Sequence, residues 1–142
     1  MHIAEVVTIA KSLPLLRLNT YKSLILSYSA DYRRIFRKKT TEIIEENIND
    51  EKLDIIFLTQ QIGMSHSTMY RKIKALTGIT INEYIRKIRL RRSMQLLQTG
   101  DYNVSEAAYM SGFNTMSYFR TCFKNEYGYS PSEVTRAKNN NK

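Results

Sequence analysis

The stretch "GMSHSTMYRKIK", from Gly63 to Lys74, decides the fold because the chain contains it twice. A similar stretch, "GFNTMSYFRTCFK", runs from Gly112 to Lys124. Each begins with a glycine and a short polar step, and continues with apolar residues set among Arg, Lys, Ser and Thr. After one inserted residue the likeness continues, with "TGITINEY" in the first copy and "YGYSPSEV" in the second. The sequence therefore contains one structural unit in two copies.

Each copy has the spacing of a helix-turn-helix. A short helix ends at the glycine, which takes the tight turn, and an apolar residue (Met64 or Phe113) fills the corner before the second helix leaves at a steep angle. Ala108, four residues before Gly112, is small enough for the two helices to cross closely. Thr59 holds the equivalent place in the first copy and is larger, so that crossing is looser.

The other segments also have helical patterns, and none alternates with the period of a strand. The first regular helix is predicted to begin at Thr41, with acids on its polar face. Caps are predicted at Ser65, at Ser105 or the residues just before it, and at Asn114. Further helices are predicted at "LDIIFLTQQIG", "INEYIRKIRLRRSMQLLQTG", "VSEAAYMSG" and "SPSEVTRAK". We predict an all-α fold, with two helix-turn-helix lobes joined by a long linker helix.

The domain boundaries follow from these helices. Residues 1–40 are predicted to be a linker or the remnant of a preceding domain, with a short helix stopped near Pro14 and a basic, partly helical stretch "DYRRIFRKK". The two-lobed domain is expected at 41–138. Within it, lobe one covers 41–80, the linker helix 81–99 and lobe two 101–138. Residues 139–142 are expected to be a disordered tail.

Composition favours a polyanionic partner. The chain has 142 residues, 42% of them hydrophobic, and a formal net charge of +9. Between Arg71 and Arg92 stand eight Lys and Arg side chains with Glu83 as the one acid, whereas acids dominate from Glu42 to Asp54. Such segregation is typical of a docking face for nucleic acid or an anionic membrane surface. The single cysteine, Cys122, allows no internal disulfide and suits a reducing compartment.

The sequence argues against a membrane anchor. Its most apolar window, Ile3 to Tyr28, is interrupted by charges and by Pro14, so we expect neither a spanning helix nor a signal peptide. A cytoplasmic location is the expectation.

The two candidate recognition helices each have a polar face. Counting turns places Met69, Ile73 and Leu76 on the inner side of the first helix, and Phe119, Phe123 and Cys122 on that of the second. The outward side chains are Ser67, Tyr70, Arg71 and Lys74 in the first, and Ser117, Arg120, Thr121 and Lys124 in the second. Arg can fork onto guanine, Ser and Thr reach base edges, and Lys neutralises phosphate.

Residues from about Thr41 to Ala137 resemble the DNA-binding region of the AraC family of bacterial transcription regulators. The resemblance rests on "IGMSHSTMYRKIKALTGITINEYIRKIRLRRSMQLL" and on "VSEAAYMSGFNTMSYFRTCFKNEYGYSPSEV". The sequence departs from the family pattern at Ile73, where Phe is usual, and at Ser93, where Ala is usual. Both are expected to be adjustments of the core.

The resemblance implies two recognition helices held on one side of a DNA duplex. A linker of some 16 residues spans about 24 Å, while successive major grooves on one face lie ~34 Å apart. Implied base contacts are Ser67, Tyr70, Arg71, Ser117, Arg120 and Thr121; expected phosphate contacts are Lys74, Lys124, Arg86 and Arg89. Family members usually have a separate sensor domain, so the chain is expected to be the output end of a longer, signal-responsive activator. Its expected partners are promoter DNA, RNA polymerase and a second copy held through that sensor, at the nucleoid.

Two other classes of function are weighed. A sequence-neutral architectural or RNA-binding protein would explain the charge but not the two polar helix faces. The chain could also be the DNA-binding part of an enzyme such as a recombinase, but no carboxylate cluster, activated Ser or metal motif in the sequence supports that hypothesis. We therefore expect no enzyme activity and no cofactor.

His2 and His66 lack partners at metal spacing. Glu83 and Glu133 are interpreted as capping-box acids rather than general acids, and Cys122 as a small core residue.

Overall fold

The computed structural model describes residues 18–141, with the side chains of residues 29–141, and the helix predicted near Pro14 lies outside that part. Seven α-helices and no strand are found in the described residues, which confirms the all-α prediction. They are α1 (Leu18–Glu46), α2 (Ile55–Ile62), α3 (His66–Thr77), α4 (Ile81–Thr99), α5 (Val104–Met110), α6 (Met116–Tyr127) and α7 (Pro131–Asn140). Helix α4 is the linker helix, and α7 continues two residues past position 138.

Helix α1 begins much earlier than predicted. The expectation was a start at Thr41, but the helix includes "DYRRIFRKK" and begins at Leu18. No Gly or Pro lies between Leu18 and Glu46, so no residue in this stretch carries the cost of about 1–3 kcal/mol that those two residues impose inside a helix. The chain divides into two compact units, Met1–Lys39 and Thr40–Lys142.

Lobe one is built around aliphatic side chains. Ile44, Leu58, Met69 and Ile73 are all at most 1% exposed, so the inward face predicted for α3 is confirmed at Met69 and Ile73. Leu76, predicted with them, is half-buried. Burying side chains of this size contributes about 1.5–3 kcal/mol each.

Lobe two has an aromatic core. Phe119 and Phe123 are fully buried, with their ring centroids 5.5 Å apart, and Phe113 lies 5.0 Å from Phe119. The small side chain of Ala108 is also fully buried, as the close helix crossing requires. Cys122 is half-buried against this cluster, in agreement with its interpretation as a small core residue.

The helix starts are defined by capping residues. Ser65 caps α3 as predicted, accepting a hydrogen bond from the Thr68 N–H. The cap of α5, predicted at Ser105 or the residues just before it, is Asn103, which forms a capping box with Glu106 three residues later. Helix α6 begins after Thr115 rather than Asn114, and the Thr115 side chain makes no cap hydrogen bond.

The capping-box interpretation of Glu83 and Glu133 is confirmed, and it predicts a pH dependence of stability. The Thr80 N–H donates to the Glu83 carboxylate at 2.9 Å, and this hydrogen bond lowers the pKa of Glu83 below 4.5. The pKa of Glu133 is lowered in the same way by the Ser130 N–H. Because a folded-state pKa below the unfolded value favours the folded protein above the unfolded pKa, this stability is lost as pH falls through the folded pKa.

We therefore expect Glu83→Gln to flatten the acid side of the stability curve. The unfolding temperature of the wild-type chain should fall more than that of Glu83→Gln between about pH 6 and pH 3. Thermal unfolding followed by circular dichroism measures both. Glu51→Gln, an exposed carboxylate in the loop after α1, is the control and should follow the wild type. Parallel curves for wild type and Glu83→Gln would contradict the expectation.

Replacing each of two buried serines with alanine is expected to change the free energy of unfolding in opposite directions. Ser111 and Ser93 are both fully buried. Ser93 donates to the Leu90 carbonyl at 2.7 Å, whereas the Ser111 hydroxyl has no hydrogen-bond partner among the described residues. Since an unsatisfied buried hydroxyl costs free energy, Ser111→Ala should raise the free energy of unfolding by about 1 kcal/mol, and Ser93→Ala should lower it by a similar amount. Urea unfolding of both variants tests this, and a loss of stability in Ser111→Ala would refute it.

Candidate nucleic-acid interface

The polar face predicted for α3 lies in solvent. Ser67, Tyr70, Arg71 and Lys74 are all exposed, and the Tyr70 ring is 44% exposed despite its size. The opposite face of α3 holds the buried Met69 and is therefore fixed to lobe one. Burial of Met69 therefore sets the orientation of α3, and the polar side chains on the other face point into solvent.

The equivalent face of α6 is also in solvent. Ser117, Arg120, Thr121 and Lys124 are exposed, while Phe119 and Phe123 anchor the other side. The Thr121 hydroxyl donates to the Ser117 carbonyl at 3.0 Å, so its oxygen remains available as an acceptor. Both helices therefore present a hydroxyl, an arginine and a lysine along one exposed face, as the repeat predicts.

The four predicted phosphate residues divide into two kinds. Lys74 and Lys124 are exposed in the last turns of their helices. Arg86 and Arg89 are half-buried on the linker helix. A hydrogen bond to the Tyr118 hydroxyl raises the pKa of Arg86, so this guanidinium is held at the boundary between linker and lobe two.

Arg89 is engaged with lobe one. Its Nε donates to the Ile48 carbonyl oxygen at 3.3 Å and its Nη2 approaches the Asp50 carbonyl oxygen at 3.5 Å. Burial lowers the pKa of Arg89, although a guanidinium stays charged at any ordinary pH. No sequence pattern predicts this contact, because the Ile48 and Asp50 carbonyls stand 41 and 39 positions from Arg89. The phosphate contact expected of Arg89 stays a prediction.

Other linker charges form ion pairs with both lobes. Arg91 pairs with Glu45 of α1 at 3.0 Å, so one charge of the basic linker pairs with the acidic first helix. Lys87 pairs with Glu126 of α6 at 2.9 Å, a partner that sequence reasoning missed. Both pairs are substantially exposed, so each contributes about 1 kcal/mol or less.

A cleft of about 390 Å³ lies where the linker helix meets the loop after α1 and the turn of lobe two. Its polar lining consists of Asn82, Arg86, Arg89, Asn114, Thr115 and Tyr118. Asn82 was not singled out from the sequence, yet positions 82, 86 and 89 share one helix face by their spacing, which is the signal that identifies it. The cleft therefore gathers two guanidinium groups beside the start of α6.

Two kinds of feature are not found in the described part of the chain. Residues 18–141 contain no group of three or more His, Cys, Asp or Glu side chains placed to hold a metal ion. The same residues include no helix with the length and apolar character needed to cross a membrane.

The sequence and the fold are similar to those of known proteins. Residues 58–137 match a family model described as a helix-turn-helix domain. The chain is 41% identical over 96 residues to "Histidine kinase P4" of Formosa agariphila, covering 68% of this chain and 7% of that protein. It is 38% identical over 89 residues to the "HTH-type transcriptional activator RhaS" of Mannheimia succiniciproducens, covering 63% of this chain and 33% of that protein. The chain thus spans a third or less of these two relatives.

A solved structure adds a comparison in three dimensions. The DNA-binding domain of AdpA, described as a global transcriptional factor in complex with a target DNA, is similar with a TM-score of 0.64 and 28% identity. The likeness covers 70% of this chain and 89% of the AdpA chain. Almost all of the AdpA DNA-binding domain therefore has a counterpart in this protein.

Proposed function

This chain belongs to the AraC family of helix-turn-helix transcription regulators, and we propose that it reads two adjacent major grooves of one promoter duplex. The observation that carries the proposal is the pair of exposed polar faces on α3 and α6. Each is backed by a buried apolar face and joined to the other by α4. A helix of 19 residues extends for about 28 Å, comparable with the ~34 Å between successive major grooves.

The proposed base contacts are the exposed side chains of the two recognition helices. Arg71 and Arg120 have the forked donors that recognise guanine, and their short hydroxyl neighbours fit other base edges. The full proposed set is Ser67, Tyr70, Arg71, Ser117, Arg120 and Thr121. Because α3 and α6 are related by the internal repeat, each is expected to read its own half-site.

The proposed phosphate contacts lie around these faces. Lys74 and Lys124 extend from the far ends of the recognition helices, and Arg86 lies between the lobes in the polar cleft. Charges in these places position a protein on the duplex and make its affinity depend on salt. With a formal net charge of +9, a steep salt dependence is expected.

We also propose that the chain is the output region of a longer activator. RhaS is named a transcriptional activator, and the histidine kinase relative is named for a signalling activity. Since only 7% of that kinase matches this chain, the kinase activity belongs to other parts of that protein, and we propose no catalysis here. RNA polymerase and a second copy, joined through a sensor domain, are the proposed partners, at promoters in the nucleoid.

Selection of bound duplexes from a random pool, using the 142-residue chain, tests the proposed function. We expect two enriched motifs about one helical turn apart, with specific affinity exceeding that for random DNA by about 10³-fold or more. Repeating the measurement at two salt concentrations separates phosphate attraction from base recognition. Salt-sensitive binding without an enriched sequence would replace this proposal with a sequence-neutral architectural role.

A further inference from the structure

Lobe one, the linker helix and lobe two meet at the side chain of Arg89. From the linker, its guanidinium reaches the backbone carbonyls of Ile48 and Asp50, in the loop that precedes α2. On its other side lies the turn of lobe two. An ideal Cβ at Gly112 would stand 2.7 Å from the Arg89 Nε and 2.2 Å from the Ile48 carbonyl oxygen. One half-buried cation therefore touches all three parts of the domain.

This close approach is specific to the junction and is not a general property of the helix-turn-helix turn. Gly63 occupies the same place in lobe one and has a similar positive φ, 76° against 86° for Gly112. Yet a Cβ at Gly63 would meet nothing within 4 Å. Glycine at position 112 is therefore required both by the turn and by the passage of the Arg89 side chain.

Arg89 adds a second attachment between lobe one and the linker. The chain enters the linker through Gly78, which lies in the left-handed region, and through Ile79 and Thr80. Near this connection the Thr41 and Tyr84 hydroxyls share a hydrogen bond at 2.7 Å. Arg89 lies about two and a half helical turns further along the linker than Thr80, where it holds the loop at Ile48–Asp50.

The two ion pairs of the linker are weaker restraints. Arg91 with Glu45 and Lys87 with Glu126 are exposed ion pairs, which are screened by salt and contribute little. Arg89 differs because its hydrogen bonds go to backbone carbonyls in a half-buried position, where their replacement by water is less complete.

We propose that Arg89 is a positioning residue that fixes the relative placement of α3 and α6, and thereby the number of base pairs that must separate the two half-sites. This inference rests on the proposed function and adds a spacing rule to it. Inserting one base pair rotates one half-site by about 34–36° and moves it by ~3.4 Å. A rigidly held pair of recognition helices cannot follow that change, whereas a pivoting pair can.

The test compares binding to the selected duplex and to duplexes with one base pair inserted between the half-sites. For the wild-type chain the insertion should weaken binding about tenfold or more, as for a mismatched site. For Arg89→Met we expect weaker binding to the original duplex and less than about a threefold difference between spacings. Arg92→Met removes the same charge from the exposed side of the linker and should keep the wild-type discrimination.

A purely electrostatic role for Arg89 gives a different result. Arg89→Met would then weaken binding equally at every spacing and reduce the salt slope by about one. That result would overturn the inference while leaving the proposed function intact. If the wild-type chain selects no sequence at all, the proposed function fails instead.

A second measurement needs no DNA and separates positioning from misfolding. Spin labels at Lys72→Cys in α3 and Asn125→Cys in α6, on a Cys122→Ser background, report the distance between the recognition helices. We expect a narrow distribution with Arg89 and a broader one with Arg89→Gln, provided that circular dichroism shows both chains helical. An unchanged distribution in a folded Arg89→Gln chain would overturn the inference.

Discussion

Replacing Gly112 with alanine is expected to lower the free energy of unfolding by about 2–5 kcal/mol. Two costs add at this position. A φ of 86° costs a residue with a Cβ about 1–2 kcal/mol. In addition, the new methyl group would stand 2.2 Å from the Ile48 carbonyl oxygen, and forced overpacking of this kind costs typically 1–3 kcal/mol. Urea unfolding of the 142-residue chain measures the sum.

Gly63→Ala is the matched control for this prediction. It carries the same left-handed backbone but has open space around the Cβ position, so only the conformational cost of about 1–2 kcal/mol applies. The difference between the two variants isolates the contact of Gly112 with Ile48 and Arg89. Equal losses of stability would show that the lobes can separate at the junction without cost.

Replacing Arg71 with alanine is expected to weaken binding to the selected duplex by about 1–3 kcal/mol, or about 5- to 150-fold, with a much smaller effect on random DNA. The guanidinium is exposed on the face of α3 that is opposite the buried Met69 and Ile73. A forked contact with guanine is lost completely when the side chain is shortened, because alanine has no donor to replace it. Titrations of both duplexes measure the two affinities.

Lys74→Ala is the comparison for Arg71→Ala. Lys74 lies one turn further along the same helix and is a proposed phosphate contact, so it should contribute equally to specific and random duplexes. Arg120→Ala in α6 should behave as Arg71→Ala does, but relax preference only in the second half-site. If Arg71→Ala weakened both duplexes equally, the residue would be a phosphate contact.

Local chemistry explains why so much of the fold was predictable. Capping residues such as Ser65 and Thr80, with glycines at the helix ends, define boundaries through hydrogen bonds that span only three or four positions. The buried faces follow from the helical period, as at Met69 and Phe119. The exposed faces of α3 and α6 then follow by elimination, since the same period that buries one side exposes the other.

Helix starts were the least precise part of the prediction. At α5 the cap was expected at Ser105 or the residues just before it, and the capping box with Glu106 selects Asn103. At α1 the start predicted at Thr41 was wrong. The helix begins at Leu18, and no Gly or Pro lies between Leu18 and Glu46 to interrupt it.

The sequence by itself determined the helical elements of the two related lobes within residues 41–141, with one apolar and one polar face on each recognition helix. Only the tertiary structure decided how the lobes are joined. The contact of Arg89 with Ile48 spans 41 positions and that of Lys87 with Glu126 spans 39, and a local pattern carries no information about such partners. The physical reason is that Arg86, Lys87, Arg89 and Arg91 are chemically alike along the chain. Their different roles arise only when folding places a carbonyl, a carboxylate or a hydroxyl beside each one.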